Sequence, residues 1–268
     1  MEKVRLDTLL FEKGHYPSRE KAKAAVMARC VLVDGAYADK AGSMVLKDCE
    51  IEIKENKNPY VGRGGLKLKR AIEIFDVDVS GKVFLDVGAS TGGFTDCLLK
   101  NGAHKVYAID VGYGQLDYNL RNDERVEVLE RTNFRYLEYE KIGRLSDGFV
   151  MDVSFISVLK LAENLKNFLK QNAFGIILVK PQFESTKQQI EKNGVIKSLS
   201  THKEVLKNVS SALNEMGYYI KNMTYSDLKG AKGNIEFLFY VTLNNEDSMP
   251  DMENVINKTT ESAHKELS

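Results

Sequence analysis

The chain has no excess of charge of either sign: 38 basic and 38 acidic side chains cancel. Any contact with nucleic acid must therefore come from local patches and not from the bulk. Cysteine is scarce, with Cys30, Cys49 and Cys97 scattered and no CxxC pair. That spacing argues against structural zinc, any other metal site and a disulfide framework, and it fits a reducing cytoplasm. No apolar run is long enough to span a bilayer, so no membrane association is expected. The opening "MEKVRLDTLLFEKG" is charged throughout and does not read as a signal peptide. What is present is ample: 43% hydrophobic residues over 268 positions, enough for a small domain followed by a larger one.

The stretch 5–35, "RLDTLLFEKGHYPSREKAKAAVMARCVLVDG", begins with Leu6, Leu9 and Leu10 at helical spacing and Gly14 at a helix end. Ser18 suits the N-cap of a second helix with Ala22, Ala25 and Val26 on its inner face. "VLVDG" and "CEIEIKEN" read as strands, so residues 1–57 form a mini-domain of two helices and a few strands. Arg5, Arg19, Lys21, Lys23 and Arg29 dominate its helical part. These charges describe either a solvated face or a nucleic-acid surface. "NKNPYVGRGG" breaks the periodicity, and a linker is placed at 58–64. A helix follows in "LKLKRAIEIF", with Leu66, Ala71, Ile74 and Phe75 inward and a basic entry of Arg63, Lys67, Lys69 and Arg70.

From Val83 apolar runs alternate with helical stretches: "VFLDV", "FTDCLLKNG", "KVYAID", "VEVLE", "DGFVMD", "LKLAENLKNFLK", "FGIILVK" and "HKEVLKNVSSALNEMG". This alternation predicts an α/β fold over residues 65–245, a mostly parallel sheet with helices on both faces. "YYIKNMTYS" and "NIEFLFYVTL" close it as an antiparallel pair. The remainder, 246–268, reads as a polar tail in which "DMENVINKTTESAHKEL" can form a short helix.

The loop "GASTGG" follows the first strand of this domain. It lacks the lysine–serine or lysine–threonine of a P-loop, and its spacing is not the GxGxxG of dinucleotide-binding turns, which counts against a nicotinamide-dependent dehydrogenase. Glycines 88, 92 and 93 are expected to let a ligand approach the backbone. Asp86, just before the loop, would repel a pyrophosphate but suits a cationic or polar ligand. Asp110 ends the next strand, where a carboxylate accepts hydrogen bonds from ribose hydroxyls. A ribose without a pyrophosphate, beside acids, suits S-adenosylmethionine. Asp152 and Lys180 end successive strands at the same sheet edge, and Glu236 lies in an apolar run. Acids and lysines converging there would satisfy one another and form a site.

The motifs "DVGASTGGFTD", "DVGYGQL", "LERTNFR", "DVSFIS", "LVKPQFE" and "KGNIEFLFY" resemble the TlyA (haemolysin A-like) family of FtsJ-like ribosomal RNA 2′-O-methyltransferases. The stretch 5–35, "RLDTLLFEKGHYPSREKAKAAVMARCVLVDG", resembles the S-four RNA-binding domain that these enzymes carry. The resemblance covers residues 4 to about 243. It implies a Rossmann-like methyltransferase sheet behind a small α+β domain, and S-adenosylmethionine as cofactor. It implies ribosomal RNA or ribosomal subunits as partner, with a cytidine 2′-hydroxyl as target. Carried over by motif, the catalytic tetrad is Lys67, Asp152, Lys180 and Glu236. Cofactor contacts are Asp86, the loop Gly88, Ala89, Ser90, Thr91, Gly92, Gly93 and Phe94, then Asp110, Asn133, Phe134 and Asp152. RNA contacts are expected from Arg5, Arg19, Lys21, Lys23, Arg63 and Lys69. Two rival readings are a non-catalytic ribosome-assembly factor and, from the family's name, a pore-forming haemolysin.

Overall fold

A computed structural model describes the chain except residues 1, 28, 29, 39, 55–57, 192 and 268. Arg29 and the end of the expected mini-domain at residue 57 lie outside the described residues. The chain divides into two compact units, Met1–Arg63 and Gly64–Ser268.

The first unit runs β1 (Lys3–Arg5), α1 (Leu6–Glu12), α2 (Arg19–Met27), β2 (Val31–Val33), β3 (Ala36–Tyr37), β4 (Met44–Leu46) and β5 (Ile51–Ile53). β1 pairs with β4, and β2 lies between β3 and β5, all antiparallel. The leucine spacing of α1 and the alanine–valine face of α2 meet in a small core of Leu6, Leu10, Ala22, Val26 and Val31. Ser18 Oγ accepts from the Lys21 N–H, supplying the N-cap of α2.

The second unit opens with α3 (Gly64–Phe75) and continues through β6 (Val83–Val87), α4 (Gly93–Lys100), β7 (Lys105–Ile109), α5 (Tyr118–Arg121), β8 (Val126–Leu129) and β9 (Ser146–Met151). Then come α6 (Leu159–Leu165), β10 (Leu169–Val179), α7 (Pro181–Glu184), α8 (Leu199–Glu215), β11 (Tyr219–Tyr225), β12 (Phe237–Thr242) and α9 (Met252–Leu267). Seven strands form one sheet in the order β11-β12-β10-β9-β6-β7-β8. Only β12 runs antiparallel to its neighbours β10 and β11. Every residue of β6 is buried, as a strand covered on both faces requires. The order reverses between β6 and β9, the switch point at which open α/β sheets bind ligands.

Three features depart from the sequence expectation. In α3 the inner residues are Lys67, Leu68, Ala71 and Phe75, while Ile74 is exposed. α6 stops at Leu165 and a 3-10 turn leads into β10 at Leu169, so the "KNFLK" end of the expected helix is turn and strand. Phe168 and Leu169 are buried there. The stretch expected as a polar tail with a possible short helix does form a helix, but one of 16 residues packed into the unit, with Ile256, Thr259, Thr260 and Ala263 buried. Ile256 and Ala263 join the main core, and Met252, Val255 and Leu267 pack against it.

Candidate active site

The loop after β6 is shaped by close packing against its neighbours. Gly88 has φ +87°, and an added Cβ would lie 2.5 Å from the Asp152 carbonyl oxygen. Gly92 has φ +92°, and its Cβ would lie 2.3 Å from Leu120. These two glycines are needed for left-handed backbone and for the approach of the protein's own atoms, where the sequence suggested ligand approach. Ser90 also has positive φ, at 50°. Its N–H donates to Asp110 Oδ2 at 2.8 Å, and the Gly112 N–H donates to Asp110 Oδ1 at 2.7 Å. Asp110 thereby ties the loops after β6 and β7 together. A carboxylate has about four acceptor positions, so it keeps capacity for ribose hydroxyls.

Two adjoining cavities lie at this sheet edge. The larger, about 490 Å³, is lined by Asp110, Val111, Asn133, Phe134 and Phe155 among others. That size falls in the usual range for small-molecule sites. The smaller, about 210 Å³, is lined by Gly64, Ala89, Thr91, Gly93, Phe94 and Lys180. Gly88, Ser90, Asp152 and Ser154 line both. Asn133 is held by accepting the Arg135 N–H, and Phe134 packs on Phe168 with ring centroids 5.5 Å apart.

Two expected cofactor contacts do not reach either cavity. Gly92 lines neither. Asp86 is fully buried under the loop, where Thr95 Oγ1 donates to its Oδ2 at 2.6 Å and Oδ1 has no hydrogen-bond partner. Burial pushes its carboxyl up to about 7, with the charges of Asp152 and Asp110 adding to that and the Thr95 bond opposing it. Asp86 therefore acts from beneath the floor of the site.

The four expected catalytic residues form two ion pairs. Lys180 Nζ lies 2.6 Å from Asp152 Oδ1 and donates to Ser154 Oγ at 2.9 Å. The contact to Asp152 is an ion pair whose angle falls outside hydrogen-bond geometry, so Oδ1 is otherwise unpartnered. This pair faces the cavities. Lys67, on α3, pairs with Glu236, just ahead of β12; both are buried and line neither cavity. Gly230 makes room for this glutamate, since a Cβ there would meet its carboxylate. Glu236 thus partners Lys67, and Asp152 partners Lys180.

Sequence reasoning missed Ser154 and Phe155, although both lie in the "DVSFIS" motif. Phe155 is 91% exposed, has φ +65° and packs on Phe183 with ring centroids 5.1 Å apart at the lip of the larger cavity. Of the expected RNA contacts, Lys21, Lys23 and Arg63 are exposed; Lys69 is exposed and lies 3.5 Å from Glu73. Arg5 and Arg19 both reach Asp7. Among the described residues no group of histidine, cysteine or acids could hold a metal ion, and no helix is long and apolar enough to cross a membrane.

A doubly covered sheet with a cavity at its switch point, an acid at the end of the second strand and a lysine–acid pair beside it defines a Rossmann-like methyltransferase. The chain belongs to the FtsJ-like methyltransferase family, whose model matches residues 60–243, in its TlyA (haemolysin A-like) group with an S4 domain at residues 4–51. It is an S-adenosylmethionine-dependent enzyme. A Bacillus subtilis (strain 168) protein, YqxC, whose name proposes an rRNA methyltransferase, is 42% identical over 99% of this chain and 96% of its own length. The 16S/23S rRNA (cytidine-2′-O)-methyltransferase TlyA of Mycobacterium tuberculosis is 39% identical over 89% of this chain and 90% of its own. A solved structure from Streptococcus thermophilus, provisionally titled a hemolysin, superposes with a TM-score of 0.79 at 39% identity, covering 99% of this chain and 97% of that one.

Proposed function

We propose that this protein methylates the 2′-hydroxyl of a cytidine in ribosomal RNA of the large subunit, with small-subunit RNA as the second candidate substrate. The observation that carries this reading is the Lys180–Asp152–Ser154 cluster, in which Lys180 lines the smaller cavity and Asp152 and Ser154 line both. The residues fit the cofactor: the larger cavity offers Asp110 for ribose hydroxyls and Asn133 with Phe134 for the adenine end. Among the described residues, Lys180 alone of the lysines and arginines lines either cavity, which leaves little to hold a pyrophosphate.

S-adenosylmethionine supplies a methyl group already activated on a sulfonium, so the protein's task is to position the ribose hydroxyl and ease its deprotonation. Lys180, held by Asp152 and Ser154, either stabilises the developing alkoxide while the hydroxyl proton leaves to solvent, or accepts that proton itself. The buried Lys67–Glu236 pair anchors α3 to the start of β12. Phe155 is placed to stack on the base of the target nucleotide. We read residues 1–57 as the RNA-docking domain and Gly64 onward, α9 included, as the catalytic domain; the linker expected at 58–64 ends at Arg63, since Gly64 already belongs to α3 and the second unit. A ribosomal substrate places the enzyme in the cytoplasm.

The test is transfer from labelled S-adenosylmethionine to unmodified ribosomal subunits by wild type and Lys180→Ala. Label in an alkali-resistant dinucleotide, absent with the variant, supports the reading. Wild-type protein that transfers nothing to either subunit or to naked RNA overturns it and favours the assembly-factor reading.

A further inference from the structure

We propose that Asp7, a buried acid on the face expected to meet RNA, is a positioning residue that holds Arg5 and Arg19 together as a two-guanidinium phosphate clamp. The inference rests on the reading of the N-terminal unit as RNA-binding.

An acid on an RNA-binding face ordinarily weakens binding by repelling phosphate. Asp7 is 5% exposed and sits in the first turn of α1. Its backbone N–H donates to the Ala41 carbonyl at 2.9 Å, and the Leu6 N–H donates to Ser43 at 2.9 Å, so the start of α1 is tied to the 41–43 turn. Its carboxylate accepts the Thr8 N–H at 2.9 Å. The acid is therefore fixed before either arginine reaches it.

Arg5 meets this carboxylate in the bidentate fork that guanidinium prefers, Nε to Oδ1 at 3.0 Å and Nη2 to Oδ2 at 2.8 Å. Arg19, at the first residue of α2, donates to the same Oδ2 at 3.2 Å. Arg5 lies against Gly42, where a Cβ would be 3.2 Å from its terminal nitrogens. Both arginine side chains remain about half exposed, at 51% and 49%. A guanidinium has five N–H donors, so most of them still face outward after these bonds. Arg19 also stands at a helix N-terminus, where a cation is disfavoured by the helix dipole. The position serves an anion better than it serves the fold. The Arg5 bonds hold the Asp7 carboxyl well below the usual carboxylate range against the opposing effect of burial.

Two arginines on one carboxylate leave a net positive charge with both forks already ordered. Ordering long side chains is a main cost of binding. Asp7 meets that cost during folding.

The experiment measures binding of the full-length protein to isolated, unmodified large ribosomal subunits over a salt series. The variants are Asp7→Asn, Arg5→Lys with Arg19→Lys, Arg5→Ala with Arg19→Ala, and the alanine pair combined with Asp7→Asn. Thermal melts accompany each. Asp7→Asn is expected to weaken binding roughly ten-fold, from re-ordering two arginines, and to flatten the salt dependence, although it removes a negative charge. The lysine pair keeps the charge but loses the fork, and is expected to lose as much. In the alanine background Asp7→Asn adds nothing. Binding by Asp7→Asn as tight as wild type or tighter overturns the proposal, as does an equal loss in the alanine background. Should Asp7→Asn fail to fold, the lysine pair decides: wild-type affinity overturns the clamp. Failure of the wild-type protein itself to bind or methylate subunits rejects the proposed function, a result distinct from any of these.

Discussion

The α-carbon of Gly88 and the carbonyl oxygen of Asp152 pack so closely that a methyl group cannot stand between them, with the added Cβ only 2.5 Å from that oxygen. The loop that frames the cofactor cavity and the segment that carries the acid partner of Lys180 are thus one packed unit. Gly88→Ala combines this clash with a left-handed backbone, which alone costs about 1–2 kcal/mol. We expect a lowered melting temperature and at least roughly ten-fold weaker S-adenosylmethionine binding by calorimetric titration. Wild-type affinity in this variant would show that the loop does not shape the cavity.

Asp86 carries a carboxyl pushed up to about 7 by burial, against an ordinary 3.8. The folded state binds the proton more tightly than the unfolded chain. Its contribution to stability is complete below about pH 4 and is lost as pH rises toward 7. Asp86→Asn does not titrate and can still accept from Thr95. It should raise the melting temperature by several degrees near pH 8, from roughly 2–4 kcal/mol, and confer no such gain near pH 4. Scanning calorimetry at the two pH values checks this; a uniform destabilisation would contradict it.

His202 Nδ1 and His264 Nε2 are hydrogen-bonded at 2.8 Å, joining α8 to α9. Burial, then the neighbouring His264, pushes His202 down to about 4 from its ordinary 6.5; burial also lowers His264. The ring packs on Phe237, and Lys203 pairs with Glu261 nearby. A depressed histidine contributes stability above the unfolded value, lost as pH falls from 6.5 toward 4, by up to about 3 kcal/mol. His202→Gln should flatten denaturant-measured stability across that window. An unchanged pH slope would show that other groups control it.

Phe155 holds φ +65° while almost wholly exposed. Such strain costs about 1–3 kcal/mol with no burial to offset it. Phe155→Asn should therefore match or exceed wild-type stability and bind S-adenosylmethionine normally, yet lose most methyl transfer to subunits. A variant with full turnover would assign the ring no part in substrate binding.

Much of the architecture was legible because its signal is local. The βαβ alternation, the strand ends at Asp110, Asp152 and Lys180, and the convergence of the last three on one sheet edge follow from period and order. The pairing of Lys67 with Glu236 was not legible as such, since the two are 169 positions apart and nothing local selects which acid meets which lysine. The packing of Gly88 against Asp152 was not legible, because sequence cannot say that the chain itself fills the space a Cβ would take. α9 was underestimated because it buries Thr259, Thr260 and Ala263, residues that carry little hydropathy. Ser154 and Asp7 act by side-chain hydrogen bonds across loops, which spacing does not encode.

The central claim is that Lys180, held by Asp152 and Ser154 on the wall of the smaller cavity, governs methylation of a ribose hydroxyl. The most direct measurement is single-turnover methyl transfer to unmodified ribosomal subunits by wild type and Lys180→Ala, with cofactor binding measured in parallel. The account predicts alkali-resistant label with wild type, none above background with the variant, and cofactor affinity for the variant within about three-fold of wild type, because Lys180 acts on the hydroxyl and not on the cofactor. Full single-turnover transfer by Lys180→Ala would contradict it.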